Sequence, residues 1–268
     1  MLVDTHCHLD PDNASEGPGP ILERARAAGV GAFVCVGVGG VEPARHAVAL
    51  AQRRADVVAA VGVHPHDAAS WDDALEDALR RLCSEPRVVA VGEVGLDYHY
   101  EHSPREVQRA VFRRFIALAR ELGRPLVIHT RSAAADTLAL LEQERARDVG
   151  GVIHCFSENR EFARRALELG FDLSFSGIVT FKNATAIHEV ARWVPEDRFL
   201  VETDSPYLAP VPLRGKRCEP AYVVHTAARV AALRGVSLER VAALSTTNAC
   251  RRFGAPLAEA VGLAQTPS

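Results

Sequence analysis

Val88-Val89-Ala90-Val91-Gly92-Glu93-Val94-Gly95-Leu96 is apolar at nearly every position and carries a single carboxylate. A strand with one face in water alternates apolar and polar residues. A continuous apolar run is the mark of a parallel strand covered on both faces. Seven similar runs accompany it: Met1–His6, Gly31–Val38, Val57–His64, Pro125–Thr130, Gly151–Cys155, Phe171–Ser176 and Phe199–Asp204. Helical stretches rich in Arg, Glu and Ala lie between them. One of these, Ser103–Leu122, opens with Ser103 as an expected N-cap, Pro104 at the first helical position and Glu106 completing a capping box. Eight strands each followed by a helix predict an α/β fold, a (β/α)8 TIM barrel, with an open doubly wound sheet as the alternative. We expect one domain over residues 1–254 and a poorly ordered tail over 255–268.

The 268 residues are enough for one such barrel. The formal charge is −3, so any contact with nucleic acid must come from a local patch rather than from bulk charge. Lys occurs only at Lys182 and Lys216. The six Cys form no CxxC pair, the N-terminus lacks a basic leader, and no apolar run approaches membrane length. The expectation is a reducing, cytoplasmic setting with free thiols. Nothing in the sequence sets the oligomeric state; a monomer is the simplest expectation.

The polar residues fall where the runs end. His6 and His8 close the first, and residues i and i+2 of a strand share a face. His64 ends the third run, Glu93 the fourth, His129 the fifth, His154 the sixth, and Glu202 and Asp204 the eighth. The C-terminal rim is where such barrels carry catalytic groups. A lone His is usually structural; several on one rim point to a metal site. The mixed imidazole and carboxylate donors suit Zn²⁺, Mn²⁺, Ni²⁺ or Mg²⁺. Six donors exceed what one catalytic ion needs, so two divalent ions are expected, bridged by Glu93. His6, His8 and Asp204 would join the bridge on one ion, and His129 and His154 on the other. Cys7, between two ligands, should face away from them, and Cys155 likewise.

The motifs spanning 3–10, 62–65, 92–98, 125–131, 154–157, 174–183, 202–210, 214–217 and 246–249 together resemble the TatD family of metal-dependent deoxyribonucleases, which are amidohydrolase-like TIM barrels. The match runs from about Leu2 to Phe253, and the family's ligand pattern falls on His6, His8, Glu93, His129, His154 and Asp204. Glu158 and Cys218 depart from it in rim loops. Other dinuclear barrels bridge their metals with a carboxylated Lys on strand four, and neither Lys lies there. The resemblance implies DNA hydrolysis, 3′-to-5′, on single strands or damaged ends.

On that footing Asp204, Glu93 and Glu202 are the expected catalytic carboxylates, with Asp204 taking the proton and Glu202 orienting a ligand or water. His64, Arg131, Tyr207, Arg214, Lys216 and Arg217 are the expected substrate contacts, and Tyr98 and Phe156 offer further rings for stacking. A second reading keeps the site and changes the bond: a metal-dependent ester or amide hydrolase, such as an aminoacyl-tRNA deacylase. A third is a metal or nucleic-acid binding protein without catalysis.

Overall fold

The computed structural model describes residues 1–14 and 16–262. Eight strands form one parallel sheet in sequence order. They are β1 Leu2–Cys7, β2 Val30–Gly37, β3 Val57–Val61, β4 Val88–Asp97, β5 Leu126–Arg131, β6 Gly151–Ile153, β7 Phe171–Phe175 and β8 Phe199–Val201. The last strand returns to the first through a parallel bridge between Cys7 and Ser205 and through the bonds Asp204 N–H to His6 O (2.9 Å) and His8 N–H to Ser205 O (2.8 Å). Buried Asp4 reinforces this seam by accepting from the Thr203 amide (2.9 Å) and hydroxyl (2.6 Å). The helices are α1 Pro18–Ala27, α2 Val41–Arg53, α3 Asp73–Cys83, α4 Arg105–Leu122, α5 Ala134–Gln143, α6 Arg160–Glu168, α7 Thr185–Trp193, α8 Val223–Arg234, α9 Leu238–Phe253 and α10 Ala255–Ala260. The chain is a (β/α)8 barrel.

The continuous apolar runs follow from two cores. Small residues such as Val34, Val58, Ala60, Val89, Val127 and Val152 fill the barrel interior. Alternate residues of the same strands, with Phe33, Val91, Ile128 and Phe171 among them, pack outward against the helices. Both faces are therefore apolar, as burial on both sides demands.

The structure corrects three expectations. Residues 255–260 are not a loose tail. They form α10, and its fully buried Leu257 joins Phe253 of α9 in the interior cluster, with contacts to β2 and β3. The remainder of the expected tail, 263–268, lies outside the described residues. The capping box does not form either: the cap position of α4 is Pro104, and buried Ser103 instead donates to His66 O (2.8 Å) and accepts from Ala69 N–H (2.9 Å), tying two rim loops together. Three strands also end earlier than read. β3, β6 and β8 stop at Val61, Ile153 and Val201, which leaves His64, His154, Glu202 and Asp204 on the loops just beyond.

Candidate metal centre

Glu93 is placed by a local irregularity. In the pairing of β4 with β5, Gly92 aligns with Val127 and Val94 with Ile128, so Glu93 is the unpaired residue of a bulge. A bulge re-aims a side chain relative to its strand. The glycines beside it are required: Gly92 and Gly95 have φ of 155° and 146°, and a Cβ on Gly95 would lie 2.0 Å from His129 O. The carboxylate is thereby buried at the rim, with β4 running on to Asp97.

Its two oxygens face different imidazoles. Oε2 lies 3.3 Å from His6 Nε2 and 4.0 Å from His8 Nε2. Oε1 lies 2.8 Å from His154 Nε2, 2.9 Å from His129 Nδ1 and 3.5 Å from His64 Nε2. Asp204 completes the first group, with Oδ1 3.8 Å from His6 Nε2 and 3.6 Å from His8 Nε2. The six residues expected to be ligands thus converge on one spot, and His64 joins them on the Oε1 side. Asp204 sits at φ 60°, a left-handed conformation that non-glycine residues adopt at a cost; the bond from its amide to His6 O holds it there.

Three imidazoles are oriented from behind. His8 Nδ1 donates to Val36 O (3.2 Å), His154 Nδ1 to Glu202 Oε1 (3.2 Å) and His129 Nε2 to Asp97 Oδ2 (3.2 Å). In the neutral form of each ring the other nitrogen then carries the lone pair on the side of the centre, the arrangement seen behind metal-ligating His. His6 Nε2 and His8 Nε2 stand only 3.3 Å apart, an approach that a shared cation would relieve. His154 Nε2 is fully buried, with Glu93 Oε1 2.8 Å away but no well-aligned hydrogen bond. These donors fit a divalent metal.

The imidazoles and carboxylates shift one another, and a cation bound among them would displace the imidazole protons. Burial would raise the Glu93 carboxyl, yet His154, His64 and His129 hold it well below the usual range. Asp204 is likewise lowered, against burial, by His8, His154 and His6. Burial would lower His154, but Glu93 and Glu202 raise it well above an ordinary imidazole. For His6 burial wins, helped by His154, and its pKa falls.

Glu202 does not face the open centre. It is fully buried behind His154, and its Oε1 also accepts the Cys155 amide (2.7 Å). Cys7 faces away as expected, its Sγ 3.5 Å from Val34 O. Cys155 is not a buried strand residue; it is partly exposed after β6, with its Sγ 3.1 Å from Ser176 Oγ. Tyr98 and Phe156 offer no free ring. The Tyr98 hydroxyl donates to Asp136 (2.7 Å) while Arg105 covers the ring, and Phe156 packs on Phe162 and Phe175 in the core. Tyr207 is 55% exposed, with its ring 6.1 Å from that of His8. Arg131 is exposed above the Tyr100 ring. Arg214 lies over Phe181, and the guanidinium of Arg217 donates to Asn13 O (2.7 Å). Lys216 is exposed in the same loop.

Sequence reading missed Asp97, His66 and their neighbours. Asp97 Oδ2 contacts both His129 and His66 Nε2 (3.0 Å), and Oδ1 accepts the amides of His99 and Tyr100. Burial would raise its pKa; the bonds from His129, the Tyr100 amide and His66 hold it well below normal. The density of His and Tyr over 97–102 was the available signal.

Residues 3–254 match a family model described as TatD related DNase. The chain is 47% identical over 257 residues to the uncharacterized metal-dependent hydrolase YcfH of Escherichia coli, covering 94% of this chain and 96% of that one. It is 34% identical over 258 residues to the 3′-5′ ssDNA/RNA exonuclease TatD of Klebsiella pneumoniae, covering 94% and 98%. Among solved structures it is similar to YjjV, a TatD homologue from Escherichia coli, with a TM-score of 0.88 at 27% identity over 94% of this chain and 97% of that one. No described helix is long and apolar enough to cross a membrane.

Proposed function

The chain belongs to the TatD-related DNase family, and from that premise we propose that it is a metal-dependent hydrolase of DNA phosphodiester bonds that removes nucleotides from the 3′ end of a single strand. The division of the two Glu93 oxygens between two groups of imidazoles supports this reading most strongly. His6, His8, Asp204 and one oxygen of Glu93 would hold one divalent ion; His129, His154 and the other oxygen would hold a second. Zn²⁺, Mn²⁺, Ni²⁺ and Mg²⁺ all suit these donors. The 3′-to-5′ direction follows the activity named for the Klebsiella relative.

A bound divalent ion supplies Lewis acidity, lowering the pKa of water and polarising a phosphoryl oxygen. The chain's residues do the rest. Asp204 is kept ionised by its imidazole neighbours and its side chain is partly accessible, so it accepts the proton of the attacking water. Glu202 acts through His154, fixing that ring's tautomer and direction. His64, 3.5 Å from Glu93 Oε1, is the proposed contact to a phosphate oxygen. Arg131, Tyr207, Arg214, Lys216 and Arg217, exposed at the end of β5 and in the loop after β8, are the proposed contacts to the strand on a slightly acidic chain.

Purified protein supplied with Mn²⁺ or Mg²⁺ should shorten 5′-labelled single-stranded DNA stepwise from the 3′ end and leave mischarged tRNA acylated. Deacylation of the tRNA with the DNA intact would replace this reading with an ester hydrolase. Metal binding with neither reaction would leave a binding protein.

A further inference from the structure

The rim holds two clefts of different character. One, of about 290 Å³, adjoins His8 and is lined by loops after β1 and β8. Its Arg24 is held between Glu16 (2.5 Å) and Glu219 (2.6 Å). The other, of about 400 Å³, lies among the loops after β6, β7 and β8 and is lined by Ser157, Phe181, Lys182, Asn183, Ile187 and Arg214 among others.

Among the described residues, no carboxylate lines this second cleft. Within the same residues, neither Lys182 nor Arg214 has an acidic partner within 4.0 Å, and both are exposed. The Arg214 guanidinium rests 4.4 Å from the centre of the Phe181 ring, and Ile178 and Ile187 extend the apolar surface. Two cations without acidic partners, one of them seated on an aromatic ring, beside an apolar wall match one nucleotide, its phosphate on the charges and its base against the wall. The volume falls within the range of small-ligand sites. The loops after strands seven and eight are where barrels of this architecture commonly take phosphate. The chain bounds the separation from the metal centre: Ser157, which lines the cleft, is three residues from His154, so their Cα atoms lie at most about 11 Å apart. That is roughly the length of three stacked nucleotides.

We propose that this cleft is a second subsite, which grips the retained strand within about three nucleotides of the bond cleaved, with Lys182 and the Phe181-seated Arg214 on a phosphate. The proposal rests on the phosphodiesterase reading above and adds a residue, Lys182, that the reaction itself does not need. It makes the enzyme measure the length of its substrate: a dinucleotide reaches the metal centre but leaves the cleft empty, whereas a pentanucleotide fills both.

The test compares thymidine oligonucleotides of two and five residues in the Mn²⁺-supplemented enzyme. For the wild type, kcat/KM should rise at least about tenfold with the longer chain. In Lys182→Ala/Arg214→Ala that rise should shrink by about tenfold, and the salt dependence of log KM should become shallower by about 0.7 for each phosphate that the variant no longer neutralises. The charge-keeping Lys182→Arg should retain the rise. A double variant with the full wild-type rise would overturn the subsite while leaving the hydrolase reading intact. If the wild type cleaves no phosphodiester, that reading fails by itself, and the cleft is judged by fluorescence anisotropy of a labelled pentathymidylate. Binding about tenfold weaker in the double variant than in the wild type upholds the subsite; equal binding, or none by the wild type, refutes it.

Discussion

Asp97 holds its Oδ2 3.2 Å from His129 Nε2, so that the other nitrogen of His129 faces Glu93 at 2.9 Å. The carboxylate thus sets which end of the ring is offered to the centre. Removing such a partner typically weakens metal binding about 10–100-fold. Asp97→Asn should therefore bind Mn²⁺ about tenfold more weakly by isothermal titration calorimetry. Asp97→Ala should bind it weaker still, since it also frees the His99 and Tyr100 amides. Unchanged affinity in both would show that His129 is oriented by other means.

Cys7 makes the opposite case. It lies between His6 and His8, but its thiol is directed at Val34 O, and burial pushes its pKa well above the usual value. Cys7→Ala should keep Mn²⁺ affinity within about twofold while losing about 1 kcal/mol of stability from the space left behind. A tenfold loss of affinity would make Cys7 a ligand.

At the opposite end of the barrel, buried Asp172 on β7 meets Arg198 (2.7 Å), Arg252 (2.8 Å) and Arg251 (3.1 Å). Burial would raise this carboxyl; the arginines, Arg252 foremost, lower it. A folded pKa below the unfolded one contributes stability above the unfolded value, near 4, and that contribution is lost as pH falls through the folded value. Asp172→Asn should cost about 1–3 kcal/mol at pH 7, because partly exposed arginines lose a charged hydrogen-bond partner. The gap from wild type should narrow below pH 4 in urea melts. A gap that persists unchanged at pH 3 would assign the loss to packing instead.

Leu257 is buried where α10 meets the barrel interior. Leu257→Ala should destabilise the protein by about 2–5 kcal/mol, read from thermal or urea unfolding. A loss below about 0.5 kcal/mol would return residues 255–260 to the status of a tail.

That helix shows where sequence reading stops. The eight strands were legible because burial on both faces leaves continuous apolar runs, and the converging side chains were legible because His and carboxylates interrupt those runs at corresponding ends. The segment after Gly254 is short and gives no periodic signal, and Leu257 acquires its role only from the barrel interior it meets. Ser103 has the sequence of a helix cap, but the loop holding His66 competes for its hydroxyl. Asp97 lay in a motif already noticed, yet its role depends on His66 and His129, 31 and 32 residues away. Such cross-strand partners are invisible to local spacing.

In the proposed centre Glu93 divides its oxygens between two ions at the rim. Anomalous diffraction from crystals soaked in Mn²⁺ tests it directly. The expected map has two peaks about 3.5–4 Å apart, one beside Glu93 Oε2 with His6, His8 and Asp204, the other beside Oε1 with His129 and His154. A single peak bound by both oxygens of Glu93, or peaks that leave Glu93 uncoordinated, would contradict the account.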